Sequence, residues 1–339
     1  MAGEDEESSG DDVAGGSAEE PPAPPARSSR AMLAAAAGTG LLFVLVQVGA
    51  LALVDPFVSA GYQQVENPSD PTNSALYLAI VLVATGGILL VVRLGAEAVL
   101  KAVILLTSGL LSWYALSVIV PGIVPGAAGQ WLAVALAVAI VVALYAYPEW
   151  YVIDAAGVLM AAGGAALFGI SFGPLPALLL LAALAVYDAL AVYGTEHMLT
   201  LAESVTDLKL PLVLVVPLSP SYSFLDDSPM AEGAEDEGGR DAFFIGLGDT
   251  VIPTVLVASA AVFTGAPSLG VPGLALTLPA LLAMLGTLAG LGGLLWMVAK
   301  GRAHAGLPLL NGGAIAGYLI GASLAGVPLV DAVGLGPYL

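Results

Sequence analysis

The sequence predicts an all-α, polytopic membrane protein with nine transmembrane helices. Three observations carry this reading. Hydrophobic residues make up 58% of the 339 and charged residues only 10%, a balance that leaves a water-soluble domain too little polar surface and makes the bilayer the solvent. The apolar residues gather in runs of about 20, the length a helix needs to cross the hydrocarbon. All eight basic residues then fall on one side of the resulting topology.

The spans are expected at roughly 31–54, 75–92, 98–120, 130–147, 153–172, 175–195, 242–264, 274–299 and 306–328. Their breaks are turn-forming: polar Asp55–Ser74, "PGIVPGAAG", Pro148-Glu149-Trp150 and "APSLGVPG". The very short "FGPLP" between the fifth and sixth spans forces antiparallel neighbours. With this count, Arg27, Arg30, Arg93, Lys101, Lys209, Arg240, Lys300 and Arg302 lie in the N-terminal tail or beside even-to-odd connections. The positive-inside rule then puts the N-terminus and the 194–241 loop in the cytoplasm and the C-terminus outside the cell membrane. Four parts follow: an acidic tail at 1–30 expected to be disordered, six spans over 31–195, a cytoplasmic loop at 196–241, and three spans over 242–339. Trp131, Trp150 and Trp296 sit near span ends as interfacial anchors.

The formal charge is −19, with eight acids in the tail and seven in 218–241. Such a chain is not expected to bind nucleic acid, and acidic, lysine-poor soluble parts suggest adaptation to high salt. Absence of cysteine excludes disulfides, a thiolate nucleophile and cysteine metal sites. The two histidines, His197 and His304, have no matched ligand nearby, and no phosphate loop or dinucleotide fingerprint occurs. No metal and no cofactor are therefore expected. Ser108, Ser171 and Ser259 lie in spans without a catalytic constellation and are expected to bond backbone or pack helices.

Two carboxylates break the apolar pattern: Asp188 in "LAVYDALAVYG" and Asp249 in "FFIGLGDTVIPTVLV". A charge in a membrane helix costs about 2.5–3.5 kcal/mol on insertion scales, so each needs a reason. Both lie about seven residues from the cytoplasmic end of their span, roughly 10–12 Å deep at the helical rise. Sequential antiparallel helices joined on that side can set them face to face. Such a pair shares one proton and titrates as a unit, so the ionised member can activate water while the protonated one donates to a carbonyl oxygen. Gly246-Leu247-Gly248 strips side chains from the approach to Asp249. Paired carboxylates also build proton relays, so a proton-coupled secondary transporter is the alternative. Each aspartate as a lone polar residue satisfied by a neighbouring helix is the plainer one.

At these residues the chain resembles the presenilin/signal-peptide-peptidase family of intramembrane aspartyl proteases. Tyr187-Asp188 matches the family's Tyr-Asp motif in span six, and Gly246-Leu247-Gly248-Asp249 its Gly-x-Gly-Asp motif in span seven. The third motif, Pro-Ala-Leu before a proline at the head of span nine, is altered to Ala305-Gly306-Leu307-Pro308. The resemblance implies endoproteolysis of transmembrane-helix substrates within the bilayer by Asp188 and Asp249. It gives no view on auxiliary subunits. A cytoplasmic N-terminus matches the presenilin orientation and favours substrates with an outside N-terminus, and the acidic composition points to a halophilic archaeon. Gly313, Gly317 and Gly321, at four-residue spacing, form a small-residue face for close helix contact.

Within the cytoplasmic loop, apolar residues at helical spacing over 195–208 suggest an interfacial helix. "LPLVLVVP" at 210–217 is too short to span and is bounded by prolines, which suggests a strand. Leu212, Val213, Leu214, Val215 and Val216 are the candidate edge on which an unwound substrate pairs. A segment simply packed on the cytoplasmic mouth is the alternative.

Overall fold

The computed structural model describes residues 29–194, 213–219, 222–224, 242–298, 300 and 305–338. The acidic tail up to residue 28, the expected interfacial helix, Leu212 and both histidines lie outside the described residues. Six helices come first: α1 Ser29–Ser59, α2 Thr72–Arg93, α3 Glu97–Ile123, α4 Ala127–Ala146, α5 Trp150–Ser171 and α6 Pro174–Gly194. Strands β1 Val213–Pro217 and β2 Ala242–Gly246 follow, then α7 Leu247–Phe263, α8 Leu278–Val298, α9 Leu307–Leu324 and the short α10 Leu329–Ala332.

Eight of these helices are long and apolar enough to cross a membrane, and α7 is a shorter apolar helix. The expected seventh span thus loses its first five residues to β2. "AFFIG" carries β-favouring Phe and Ile, and its backbone pairs with β1 instead of winding into the helix. The all-α expectation is amended by this one two-stranded antiparallel sheet. Elsewhere the breaks follow local chemistry. Gly126, with φ +83°, supplies the left-handed turn before α4. The Glu149 side chain accepts the Trp150 N–H at 3.3 Å and caps α5.

α5 is the central helix, with 15 of its 22 residues buried. Lipid tails are as apolar as leucine, so helices associate here through close packing of small side chains. A Cβ added at Gly49 of α1 would stand 2.9 Å from that of Ala162, and one at Gly169 would collide with Ala258 of α7. The Ser259 hydroxyl donates to the Phe172 carbonyl at 2.7 Å, while Ser108 and Ser171 bond carbonyls of their own helices. α2 stands at the periphery, with Ser74 its one buried residue.

α8 and α9 approach closely enough for backbone to touch backbone. A Cβ at Gly313 would lie 2.9 Å from the carbonyl carbon of Gly286, and one at Gly317 would lie 2.7 Å from that of Leu282. A Cβ at Gly321 would lie 2.7 Å from the Pro279 Cα. The four-residue glycine spacing therefore does serve close packing. A core of Leu180, Leu181, Leu184, Leu256, Val257, Ala280, Ala314 and Tyr318 joins α6 to α9.

Candidate active site

β2 runs straight into α7, so Asp249 lies in the first turn of that helix. Its Oδ2 folds back to within 3.2 Å of where a Gly246 Cβ would stand and 3.8 Å of a Gly306 Cβ. Asp188, half-buried on α6, accepts the Leu307 backbone N–H on its Oδ2 at 3.0 Å. The head of α9 therefore lies beside both carboxylates, with the Leu307 N–H bonded to Asp188 and a Cβ position at Gly306 facing Asp249. Leu307 and Pro308 open α9, where the missing proline N–H would have no partner within the helix. Ala305, just before them, is buried.

The other motif residues divide. Leu247 turns away from the pair and packs against the Ile153, Ala156, Met160 and Val215 cluster on α5 and β1. Around Gly248 there is open space, since a Cβ there would meet nothing within 4 Å. Tyr187 is exposed, as are Val186 and Leu190 on the same helix.

Val213, Leu214, Val215 and Val216 lie in β1, paired antiparallel with β2 in the register Val213↔Gly246, Leu214↔Ile245, Val215↔Phe244 and Val216↔Phe243. The expected free edge on this segment is paired on one side and partly taken on the other. β2 lies along one, and on the other the buried Asp154 carboxylate accepts the Val215 N–H at 2.7 Å. Backbone groups alternate sides along a strand, so Leu214 and Val216 turn theirs toward β2. In the same ladder Phe244 turns its own away from β1. The sheet has two strands, so no third strand covers that outer side of β2 among the described residues.

Three residues outside the motifs also hold the site together. Asn311, one turn after Leu307, donates its Nδ2 to the Leu181 carbonyl at 2.9 Å and ties α9 to α6 a second time. Asp154 ties α5 to β1. Glu149 accepts the Ser223 hydroxyl at 2.7 Å and the Phe224 N–H at 3.1 Å. Their signal in the sequence is an uncompensated polar group at or inside an apolar run, though Glu149 and Asp154 stand near a span end, where a carboxylate needs no buried partner. Among the described residues, no three metal-ligating side chains gather.

Membrane-length helices carrying two carboxylates near the head of α9 define the class, an integral membrane protein with acids inside its bundle. A family model described as "Signal-peptide peptidase, presenilin aspartyl protease" matches residues 40–327, and the chain belongs to that family of intramembrane aspartic endopeptidases. Two solved structures are similar, each described as a presenilin family intramembrane aspartate protease. One, in space group C222, is 36% identical with a TM-score of 0.61, covering 85% of this chain and 99% of its own. The other, in space group P2, is 38% identical with a TM-score of 0.59, covering 85% and 97%. No curated protein matches the chain. The transporter alternative has no support in these comparisons.

Proposed function

We propose that Asp188 and Asp249 are the catalytic pair and hydrolyse peptide bonds of transmembrane segments within the bilayer. The observation that carries this is the placement of both carboxylates beside Gly306-Leu307 at the head of α9. The Leu307 N–H holds one oxygen of Asp188 and so orients that carboxyl group. In the productive state the pair holds one proton. The ionised carboxylate takes a proton from water, whose oxygen attacks the scissile carbonyl carbon, and the protonated carboxyl donates to the carbonyl oxygen. Collapse of the tetrahedral diol returns a proton to the leaving nitrogen and breaks the C–N bond. Thr250 Oγ1, beside Asp249 in sequence, and Asn311 Oδ1, one turn into α9, are buried with no partner among the described residues and are available to hydrogen-bond water.

A helical substrate shields its peptide bonds, so it must be extended before attack. The outer edge of β2 is the place for it, by main-chain pairing that leads into Asp249. This moves the substrate strand from the expected Leu212–Val216, of which Val213–Val216 form the inner, supporting strand. Open space at Gly248 leaves room for the substrate backbone, and the exposed face of α6 around Tyr187 admits it from the lipid.

The charge distribution supports a cell-membrane orientation with the N-terminus cytoplasmic, the C-terminus outside and substrates of outside N-terminus. Labelling of a cysteine placed at Tyr338 by an impermeant reagent on intact cells checks it, and protection until lysis refutes it.

The catalytic assignment is tested with Asp188→Asn and Asp249→Asn. Each should abolish cleavage of a model transmembrane substrate while leaving thermal unfolding in detergent near the parent. The double variant should lose little more, because the two act as a unit. Robust cleavage by either single variant refutes the pair.

A further inference from the structure

A buried carboxylate outside the pair, Asp154, has no part in the chemistry above, yet it makes a short bond to the sheet. We infer that Asp154 is a positioning residue that selects which substrate peptide bond is cut, by pinning the register of β1 and occupying the central donor of its outer edge. The inference rests on the proposed pairing of substrate with β2.

Asp154 lies on α5 and is 9% exposed. Its Oδ1 accepts the Val215 N–H at 2.7 Å across 61 residues of sequence. Val215 is the middle residue of a five-residue strand, so this bond does two things. It occupies the central backbone donor on that side of β1, where Pro217 has no N–H to offer, so β2 is the edge better suited to substrate. It also ties β1 to the rigid central helix at one register. In a sheet, a slip of one residue turns every side chain to the opposite face, and a slip of two moves the chain about 7 Å at the strand rise. Because β2 is continuous with the helix that carries Asp249, a slip of β1 withdraws the ladder partners of β2, so a substrate strand paired on β2 loses its fixed placement and neighbouring bonds come to face Asp249.

A second anchor of the same kind stands one turn earlier, at the cap of the same helix. Glu149 holds Ser223 and Phe224 on the chain leaving β1. Phe224 is buried, and its ring lies 6.4 Å from that of Phe244 in β2. Two carboxylates five residues apart, Glu149 at the cap of α5 and Asp154 within it, thus clamp the segment on either side of the β1 exit. Packing reinforces the clamp, since a Cβ at Gly157 would stand 2.8 Å from the Leu214 side chain and 3.3 Å from that of Leu247.

The experiment uses the full chain in detergent micelles, a single-span model substrate, mass spectrometry of the products, and a hydroxyethylene dipeptide isostere as probe of the aspartate pair. Asp154→Asn keeps an oxygen acceptor for Val215 and should keep the parental cut sites. Asp154→Val removes the acceptor at similar volume. It should spread cleavage to neighbouring bonds and raise KM at least fivefold, with isostere affinity within about threefold of the parent. Val215→Pro deletes the donor from the other side without touching the β2 ladder, and should reproduce the Asp154→Val pattern. Combining the two should add nothing further, as expected for two halves of one bond. Parental cut sites in both Asp154→Val and Val215→Pro overturn the inference, as does an Asp154→Asn pattern equal to Asp154→Val. If Asp154→Val loses isostere binding through misfolding, Val215→Pro alone decides. Failure of the catalytic assignment is distinguishable, because it shows as cleavage by Asp188→Asn or Asp249→Asn whatever the cut-site pattern.

Discussion

Gly290→Ala on α8 should disable the enzyme without touching either aspartate. A Cβ at this position would stand 2.8 Å from the carbonyl carbon of Leu309 and 3.2 Å from the Leu310 Cα. The Leu309 carbonyl oxygen would overlap this Cβ outright, and since carbon atoms pack at about 3.5–4.0 Å, the head of α9 must retreat by about 0.7–1.2 Å to clear the Leu309 carbonyl carbon. Leu309 is two residues from Leu307, whose N–H reaches Asp188 at 3.0 Å. A retreat of about 1 Å takes that bond beyond hydrogen-bond range. Overpacking of this kind costs about 1–3 kcal/mol of stability, and a 1 Å misplacement of catalytic groups costs on the order of 100-fold in rate. Gly292→Ala and Gly293→Ala are the controls, because a Cβ at either meets nothing within 4 Å on the same helix. Those variants should cleave like the parent, and alanine should slightly stabilise the helix. The assay is kcat for the model substrate alongside thermal unfolding of the purified protein. Parental kcat for Gly290→Ala, or equal losses in all three variants, refutes the claim that the α8–α9 contact sets the position of the α9 head.

Two further outcomes follow from the same geometry. Activity should rise and then fall as pH increases, because a doubly protonated pair lacks the base and a doubly ionised pair lacks the acid; a flat rate profile in folded protein counts against the shared proton. Phe244→Pro should remove a donor from the outer edge of β2 and slow cleavage of helical substrates while preserving isostere binding, whereas Ile245→Pro, facing β1, should disturb the sheet and reduce both. Full cleavage by Phe244→Pro would remove β2 from substrate recognition.

The positions of the spans were legible from local sequence, because bilayer thickness sets a minimum apolar length and any charge within it stands out. Asp188 and Asp249 were conspicuous for that reason, and Gly313, Gly317 and Gly321 declared a contact face by their spacing alone. The strand at Val213–Pro217 was legible as well, since prolines bound an apolar run too short to cross. What local sequence left open was every pairing across the chain. "AFFIG" extends an apolar run into α7 and is helical by that measure; it is a strand because β1 supplies its hydrogen bonds. Leu307 reaches Asp188 across 119 residues, Asn311 reaches Leu181 across 130, and Val215 reaches Asp154 across 61. A residue's chemistry and its local period are written in its neighbours, but the partner that satisfies a buried polar group is chosen only when helices pack, because in lipid each such group must find its bond within the protein. So the acids were visible from the sequence, while tertiary structure decided which of them meet at the head of α9 and which hold the sheet.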